Sequence, residues 1–170
     1  MKRALIIIAT ISIGVSFISF ILLFVPGFVN FFSKSTTYIG GHSSSSSGSS
    51  VAGTIMEASS FMMVSFVLLV LVSILMGILT IVGASKGSYP SVFIGIDAFC
   101  RLALLLFAFV FLPIAGSNSN TQGQAGAWKS SGTGCSIGGV GIFFAILQVI
   151  VFIFCIVAIV RIHKVETDNV

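Results

Sequence analysis

The sequence predicts an all-α integral membrane protein, a four-helix bundle whose N- and C-termini are both cytoplasmic. The first observation is composition: 56% of residues are hydrophobic, 7% are charged, and the mean hydropathy is +1.19. In soluble domains about a quarter of residues are charged. The second observation is four apolar runs of about 20 residues, the length that a helix needs to cross a hydrocarbon core of about 30 Å.

The four runs define the predicted spans and leave a single membrane domain over residues 1–170. The first run follows Lys2 and Arg3 and is closed by Pro26 and Gly27. A cleaved signal peptide is the alternative for it, but its apolar stretch exceeds the usual length of about 7 to 15 residues, which favours a retained span. The predicted spans are residues 4–25, 61–83, 91–115 and 137–160.

Basic residues set the predicted orientation, because cytoplasmic segments of membrane proteins are enriched in Lys and Arg. This rule places both termini and the turn at 84–90 in the cytoplasm, with the connections 26–60 and 116–136 outside or in a lumen. The basic residues near the cytoplasmic ends are Lys2, Arg3, Lys86, Arg161 and Lys164, whereas the exterior loops carry Lys34 and Lys129.

Both exterior loops have low-complexity sequences. The first contains GGHSSSSSGSS from Gly40 to Ser50, and the second is rich in Gly, Ser and Asn from Gly116 to Gly134. Such segments bury too little apolar surface to offset the entropy of ordering. We therefore expect neither loop to fold alone and no separate exterior binding domain.

Small and hydroxylated residues recur at helical spacing in three of the spans. Such stripes let helix backbones approach closely, and a mid-membrane glutamine requires a hydrogen-bond partner. They predict a helix-packing seam, either within the chain, which we favour, or between subunits. Its residues are Gly134, Gly138, Gly141, Ala145 and Gln148 near the fourth span, and Ser73, Gly77, Thr80 and Ala84 in the second; the first span adds Ser12, Ser16 and Ser19.

Asp97 and Arg101 lie four residues apart in the third span, as an intramembrane or interfacial ion pair. Residues 98–115 alone make a helix of about 27 Å, nearly enough to cross the membrane. The favoured interpretation therefore places the pair in the inner headgroup zone, where Arg101 snorkels and Asp97 partners it. The alternative is a polar site that faces the bundle together with Gln148.

Catalysis and metal binding have little support in the sequence. The two aspartates, Asp97 and Asp168, are far apart, and His42 and His163 fall on opposite sides of the membrane in the predicted topology. No cofactor is expected, and the scattered basic residues give no nucleic-acid site. The chain has no CxxC or His/Cys cluster; Cys100 and Cys155 are candidate palmitoylation sites.

The order of a basic N-terminus, a longer first exterior loop, a tight cytoplasmic turn, a shorter second loop and a short tail resembles the claudin-like and MARVEL-type four-span membrane proteins. Claudins carry a Trp-Gly-Leu-Trp and two-cysteine signature in the first exterior loop, and residues 26–60 hold neither Trp nor Cys. The resemblance therefore implies a four-span topology and transfers no site residue.

The sequence predicts a non-enzymatic organiser or accessory subunit of the plasma membrane or an endomembrane, acting by lateral helix association. Its expected partners are membrane lipids and other membrane proteins or further copies of itself. The C-terminal ETDNV, ending at Val170, is a candidate contact for a PDZ-type domain. The alternative is a subunit of a transporter or channel with a polar site around Asp97, Arg101 and Gln148.

Overall fold

The computed structural model of the protein describes residues 2–39, 42–48, 50–86, 91–124 and 127–167. The chain is mostly helical, and four of its helices are long and apolar enough to cross a membrane. A small antiparallel sheet is also present, so the all-α prediction is wrong in that respect. In chain order the elements are α1 (Lys2–Leu22), β1 (Val29–Ile39), β2 (His42–Ser47), β3 (Val51–Gly53), α2 (Ile55–Ala58), α3 (Ser60–Ser85), α4 (Ser91–Leu106), a π-helix (Phe107–Phe111), α5 (Leu112–Ala115), β4 (Asn118–Gln124), β5 (Ala127–Ile137) and α6 (Gly139–Thr167).

The third span is one long helix, Ser91–Ala115, with a π-helical segment near the end that leads into the sheet. Pro113 has no backbone N–H and its ring crowds the preceding turn, so ordinary α-helical bonding cannot continue through it. The backbone N–H of Leu112 instead bonds to the carbonyl of Phe107, five residues back. The wider π turn thus carries the helix past the proline.

The four long helices form a ring in which α1 packs against α3 and α6, and α4 packs against the same two helices. Consequently α1 and α4 lie diagonally opposite each other. Near the sheet the core is aromatic: the ring of Phe28 meets Phe66 and Phe144 edge-on, with centroids 6.0 and 5.2 Å apart. At the far end the core is built from smaller aliphatic side chains, including Leu5, Ala84 and Ile162.

The chain leaves α1 through a turn that aims it into the sheet. Gly27 has a φ of 94°, a left-handed conformation that glycine adopts without steric cost. The turn is joined to the start of α6 by two backbone hydrogen bonds, from Gly138 to Phe28 at 2.8 Å and from Val140 to Gly27 at 3.1 Å. The first and last spans are thereby fixed to each other at the base of the sheet.

The sheet unites the two predicted exterior loops. Its strand order is β2-β1-β5-β4, and β3 pairs with the first three residues of β1. Strand β1 from the first loop pairs along its whole length with β5 from the second, from Val29 opposite Ile137 to Ile39 opposite Ala127. The strands themselves were not predicted from the low-complexity sequences of the two loops. Each loop pairs strands of its own, β1 with β2 and β4 with β5, and each also supplies hydrogen-bond partners to the other loop through β1 and β5.

Candidate functional site

Asp97 and Arg101 point into the bundle. Only 3% of Asp97 and none of Arg101 is exposed. The Nε of Arg101 lies 3.3 Å from Oδ1 of Asp97, an ion pair across one helical turn. The favoured sequence interpretation, an anchor in the inner headgroup zone, is wrong because a snorkelling arginine would leave its guanidinium exposed.

The carboxylate of Asp97 receives hydroxyl hydrogen bonds from two other helices. Ser12 in α1 donates to Oδ2 at 2.5 Å, and Ser73 in α3 donates to Oδ1 at 2.6 Å. Both serines lie midway along their helices. The third span considered alone could slide until Asp97 reached a membrane surface, but these neighbours fix the carboxylate near mid-bundle.

The guanidinium of Arg101 extends from α4 across the bundle to α1 and sideways to α6. One terminal nitrogen donates to Oε1 of Gln148 at 2.6 Å. The other donates to the carbonyl and the hydroxyl of Ser12, at 3.0 and 2.9 Å, and to the hydroxyl of Ser16 at 2.5 Å. A single side chain therefore connects the two diagonally opposed helices.

Gln148 and Cys155 complete the network from α6. The Nε2 of Gln148 donates to the hydroxyl of Ser19 at 2.6 Å, and the thiol of Cys155 donates to Oδ2 of Asp97 at 3.6 Å. Throughout the described residues, every buried side-chain nitrogen and oxygen has a hydrogen-bond partner. We call this set the central network; its members are Ser12, Ser16, Ser19, Ser73, Asp97, Arg101, Gln148 and Cys155.

The charges and hydrogen bonds of the central network are satisfied within the chain. One carboxylate and one guanidinium balance each other in charge, and their remaining hydrogen-bonding capacity is directed to groups of the same chain. A satisfied buried network of this kind specifies one arrangement of the helices around it. Among the described residues, no three His, Cys, Asp or Glu side chains are placed to hold a metal ion.

The seam predicted in the second span faces inward within the chain, since its four residues are all buried. Gly77 permits the closest approach: a Cβ there would lie 2.6 Å from Cγ1 of Ile13 in α1. Thr80 bonds to the carbonyl of Met76 in its own helix, at 2.8 Å. This stripe therefore joins α3 to the rest of the bundle.

The seam predicted near the fourth span is only partly helical. Gly141, Ala145 and Gln148 lie in α6, but Gly134 belongs to β5 and Gly138 precedes the helix. Each of the two has its own steric reason: a Cβ at Gly134 would overlap the ring of Phe32, and one at Gly138 would overlap the carbonyl of Gly27. The regular spacing of these small residues therefore runs from β5 into α6 and does not mark the face of a single helix.

The two candidate palmitoylation cysteines are buried inside the bundle. Cys100 is 4% exposed and Cys155 is 1% exposed, the latter in contact with Asp97. Their burial argues against acylation, because a thiol must reach lipid or an acyltransferase. The PDZ-type prediction concerns Asp168 and Val170, which lie outside the described residues.

Sequence reasoning found the serine stripe of the first span but missed its function. The sequence indicates only small packing residues at Ser12, Ser16 and Ser19. In the structure their hydroxyl oxygens accept hydrogen bonds from the side chains of Arg101 and Gln148. Their role could have been predicted because one helix carries hydroxyl groups along one face and another carries an arginine that needs hydrogen-bond acceptors.

No family model, curated protein or solved structure matches this chain.

Proposed function

We propose that this protein is a non-enzymatic membrane organiser or accessory subunit whose four-helix bundle serves as a rigid base for an exterior sheet. The observation that carries the proposal is that the buried polar side chains of the described residues are satisfied within the chain itself. In this proposal both termini lie in the cytoplasm, and the protein resides in the plasma membrane or an endomembrane.

The energetics favour a structural role for the central network. A charged residue at the centre of a membrane helix costs about 2.5 to 3.5 kcal/mol on insertion scales. Asp97 and Arg101 offset that cost through their mutual attraction and their hydrogen bonds to three other helices. Breaking the arrangement to admit a solute would leave both charges unpaired in a medium that offers no replacement.

Lateral association in this proposal uses the outer faces of the helices. The small-residue stripes are occupied inside the bundle, as Gly77 against Ile13 illustrates. The outer surface instead carries large apolar side chains, such as Phe17 on α1 and Ile153 on α6, at 63% and 53% exposure. Partner membrane proteins, further copies of this chain and lipids would meet these faces, and a PDZ-type domain would meet the C-terminal tail.

The alternative function is a subunit of a transporter or channel. The observation in its favour is the position of Asp97 and Arg101, where all four spans converge on one charged site. Ionisable groups at mid-membrane mark ion and substrate pathways in many membrane proteins. In that case the network would have to open during a transport cycle or on assembly with other subunits.

Two measurements on the full-length protein separate the proposals. In sealed liposomes, the organiser proposal predicts ion and small-solute flux equal to that of empty liposomes. In-cell crosslinking should yield a reproducible set of membrane partners that Phe17→Ala, which removes a large side chain from the outer face of α1, reduces and Thr10→Ala leaves intact. Thr10 is the matched control because it is exposed on the same helix, two turns before Phe17, and its substitution removes only a hydroxyl that bonds to Ile6 in its own helix. A specific flux that is abolished by Asp97→Asn would reject the organiser proposal in favour of the alternative.

A further inference from the structure

Three helix ends meet at the end of the bundle opposite the sheet. Leu5 of α1, Ala84 of α3 and Ile162 of α6 belong to one buried apolar cluster, and none is more than 3% exposed. The residues that flank them in sequence are therefore held around the same small area of the bundle.

Each of the three helices carries an exposed basic residue within two positions of its member of this cluster. Arg3 lies two residues before Leu5, Lys86 two residues after Ala84, and Arg161 immediately before Ile162. All three are exposed, as is Lys164 one turn further along α6. We call Arg3, Lys86, Arg161 and Lys164 the basic arc; among the described side chains none of them forms an ion pair.

The described acidic groups do not neutralise the basic arc. Glu57 is next to the sheet, where it accepts the backbone N–H of Thr54 at 2.8 Å. Asp97 is buried and paired with Arg101. Two further acidic residues, Glu166 and Asp168, follow Lys164 in the sequence, and the sequence at this end also contributes Lys2.

We propose that the basic arc binds the anionic headgroups of phospholipids, such as phosphatidylserine or phosphatidylinositol, in the leaflet at this end of the bundle. Arg161 lies about 33 Å along α6 from Gly139, just beyond the roughly 30 Å of hydrocarbon, where lipid phosphates are found. Exposed Lys and Arg at this height are attracted to an anionic leaflet. Charge complementarity and position select a lipid over a soluble acidic ligand.

The proposal requires that the helices cross a membrane, and it is independent of the organiser role. It can be tested with the full-length protein in bilayers of phosphatidylcholine that contain either spin-labelled phosphatidylserine or spin-labelled phosphatidylcholine. The measured quantity is the ratio of the association constants of the two labelled lipids. We expect a ratio well above one, which falls at about 1 M salt because charges are then screened within about 3 Å.

Substitutions locate the site. Arg3→Gln, Lys86→Gln and Arg161→Gln should each lower the ratio, by at most about fivefold, and the triple variant should bring it close to one. Lys34→Gln, which removes a lysine from β1 near the other end, is the matched control and should leave it unchanged. The single variants keep the test decisive if the triple variant fails to fold.

Several outcomes would overturn the proposal. A ratio of one for the unsubstituted protein would do so, as would a triple variant that folds and keeps its preference. Displacement of the labelled lipid by inorganic phosphate at constant ionic strength would indicate a site for the free ion. Binding of a soluble poly-glutamate peptide without any lipid preference would indicate a protein-binding surface instead.

Discussion

The guanidinium of Arg101 donates a hydrogen bond to the side-chain oxygen of Gln148 at 2.6 Å, while its other terminal nitrogen reaches the serines of α1. This one side chain links three helices and neutralises Asp97 on its own. Because the side chain is fully buried, substituting Arg101 measures how much the central network contributes to the stability of the bundle.

Replacing Arg101 with methionine is expected to destabilise the bundle by about 3 to 5 kcal/mol, because Asp97 is left as an unpaired buried charge. The free energy of unfolding in bilayers, measured by steric trapping, checks this value. Lys34→Met, at an exposed position in β1, is the control and should change it little. The double variant Asp97→Asn/Arg101→Met should recover part of the loss; a double variant no more stable than Arg101→Met would contradict the pairing.

A single hydroxyl of the network should contribute much less than the arginine. Ser73→Ala removes one hydrogen bond to Asp97. We expect it to lower the free energy of unfolding by about 0.6 kcal/mol and by no more than about 1.7 kcal/mol, the average and the maximum for interhelical hydrogen bonds in membranes. Ser65→Ala in the same helix is the matched control, since its exposed hydroxyl bonds only to the carbonyl of Phe61. Equal effects of the two changes on the free energy of unfolding would argue against a network centred on Asp97.

Two glycines should respond in opposite ways to alanine. A Cβ at Gly77 would lie 2.6 Å from Ile13, so Gly77→Ala should push α1 and α3 apart and cost about 1 to 3 kcal/mol. At Gly14 a Cβ meets no other atom within 4 Å, so Gly14→Ala should stabilise the helix by about 0.5 to 1 kcal/mol. Thermal denaturation in detergent compares them, and destabilisation by both would remove the steric explanation.

The pairing of β1 with β5 can be tested with engineered disulfides. Ser33 and Thr133 are opposite each other in the register of β1 and β5, so cysteines at both positions should form a disulfide readily. The control pairs a cysteine at Ser33 with one at Gly132, which is shifted by one residue and projects to the other face. Gel mobility with and without reductant reports the bond, and efficient crosslinking of the control pair would show that the register is different.

Native Cys135 should be a poor target for thiol reagents. It is 6% exposed, and burial raises the pKa of its thiol above the ordinary value of 9.0. The reactive thiolate is thus scarce at neutral pH, and its fraction grows only at a higher pH than for an exposed cysteine. A cysteine introduced at exposed Ser45 should react with a membrane-impermeant maleimide from the sheet side much faster than Cys135, whereas one at Lys86 should react from the opposite side. Rapid labelling of Cys135 would contradict its burial.

The apolar helices were predictable because the length of a hydrophobic run directly reflects the thickness of the bilayer. The sheet was not, since a Ser- and Gly-rich sequence carries no strong strand pattern and its order depends on pairing between Thr36 and Ser130, which lie far apart in sequence. The depth of Asp97 was also not predictable from its own helix. It is fixed by Ser12 and Ser73, so a correct prediction required the relative heights of three helices.

The order of synthesis determines the order in which the bonds of the central network can form. Synthesis proceeds from the N-terminus, so Ser12, Ser16 and Ser73 are already in place when the third span brings its two charges to the membrane. Gln148 and Cys155 follow only later. The nascent third span can therefore pack against the first two, and the fourth span completes the bundle last. A ribosome paused before the fourth span would leave Arg101 bonded to α1 but without its amide partner, Gln148.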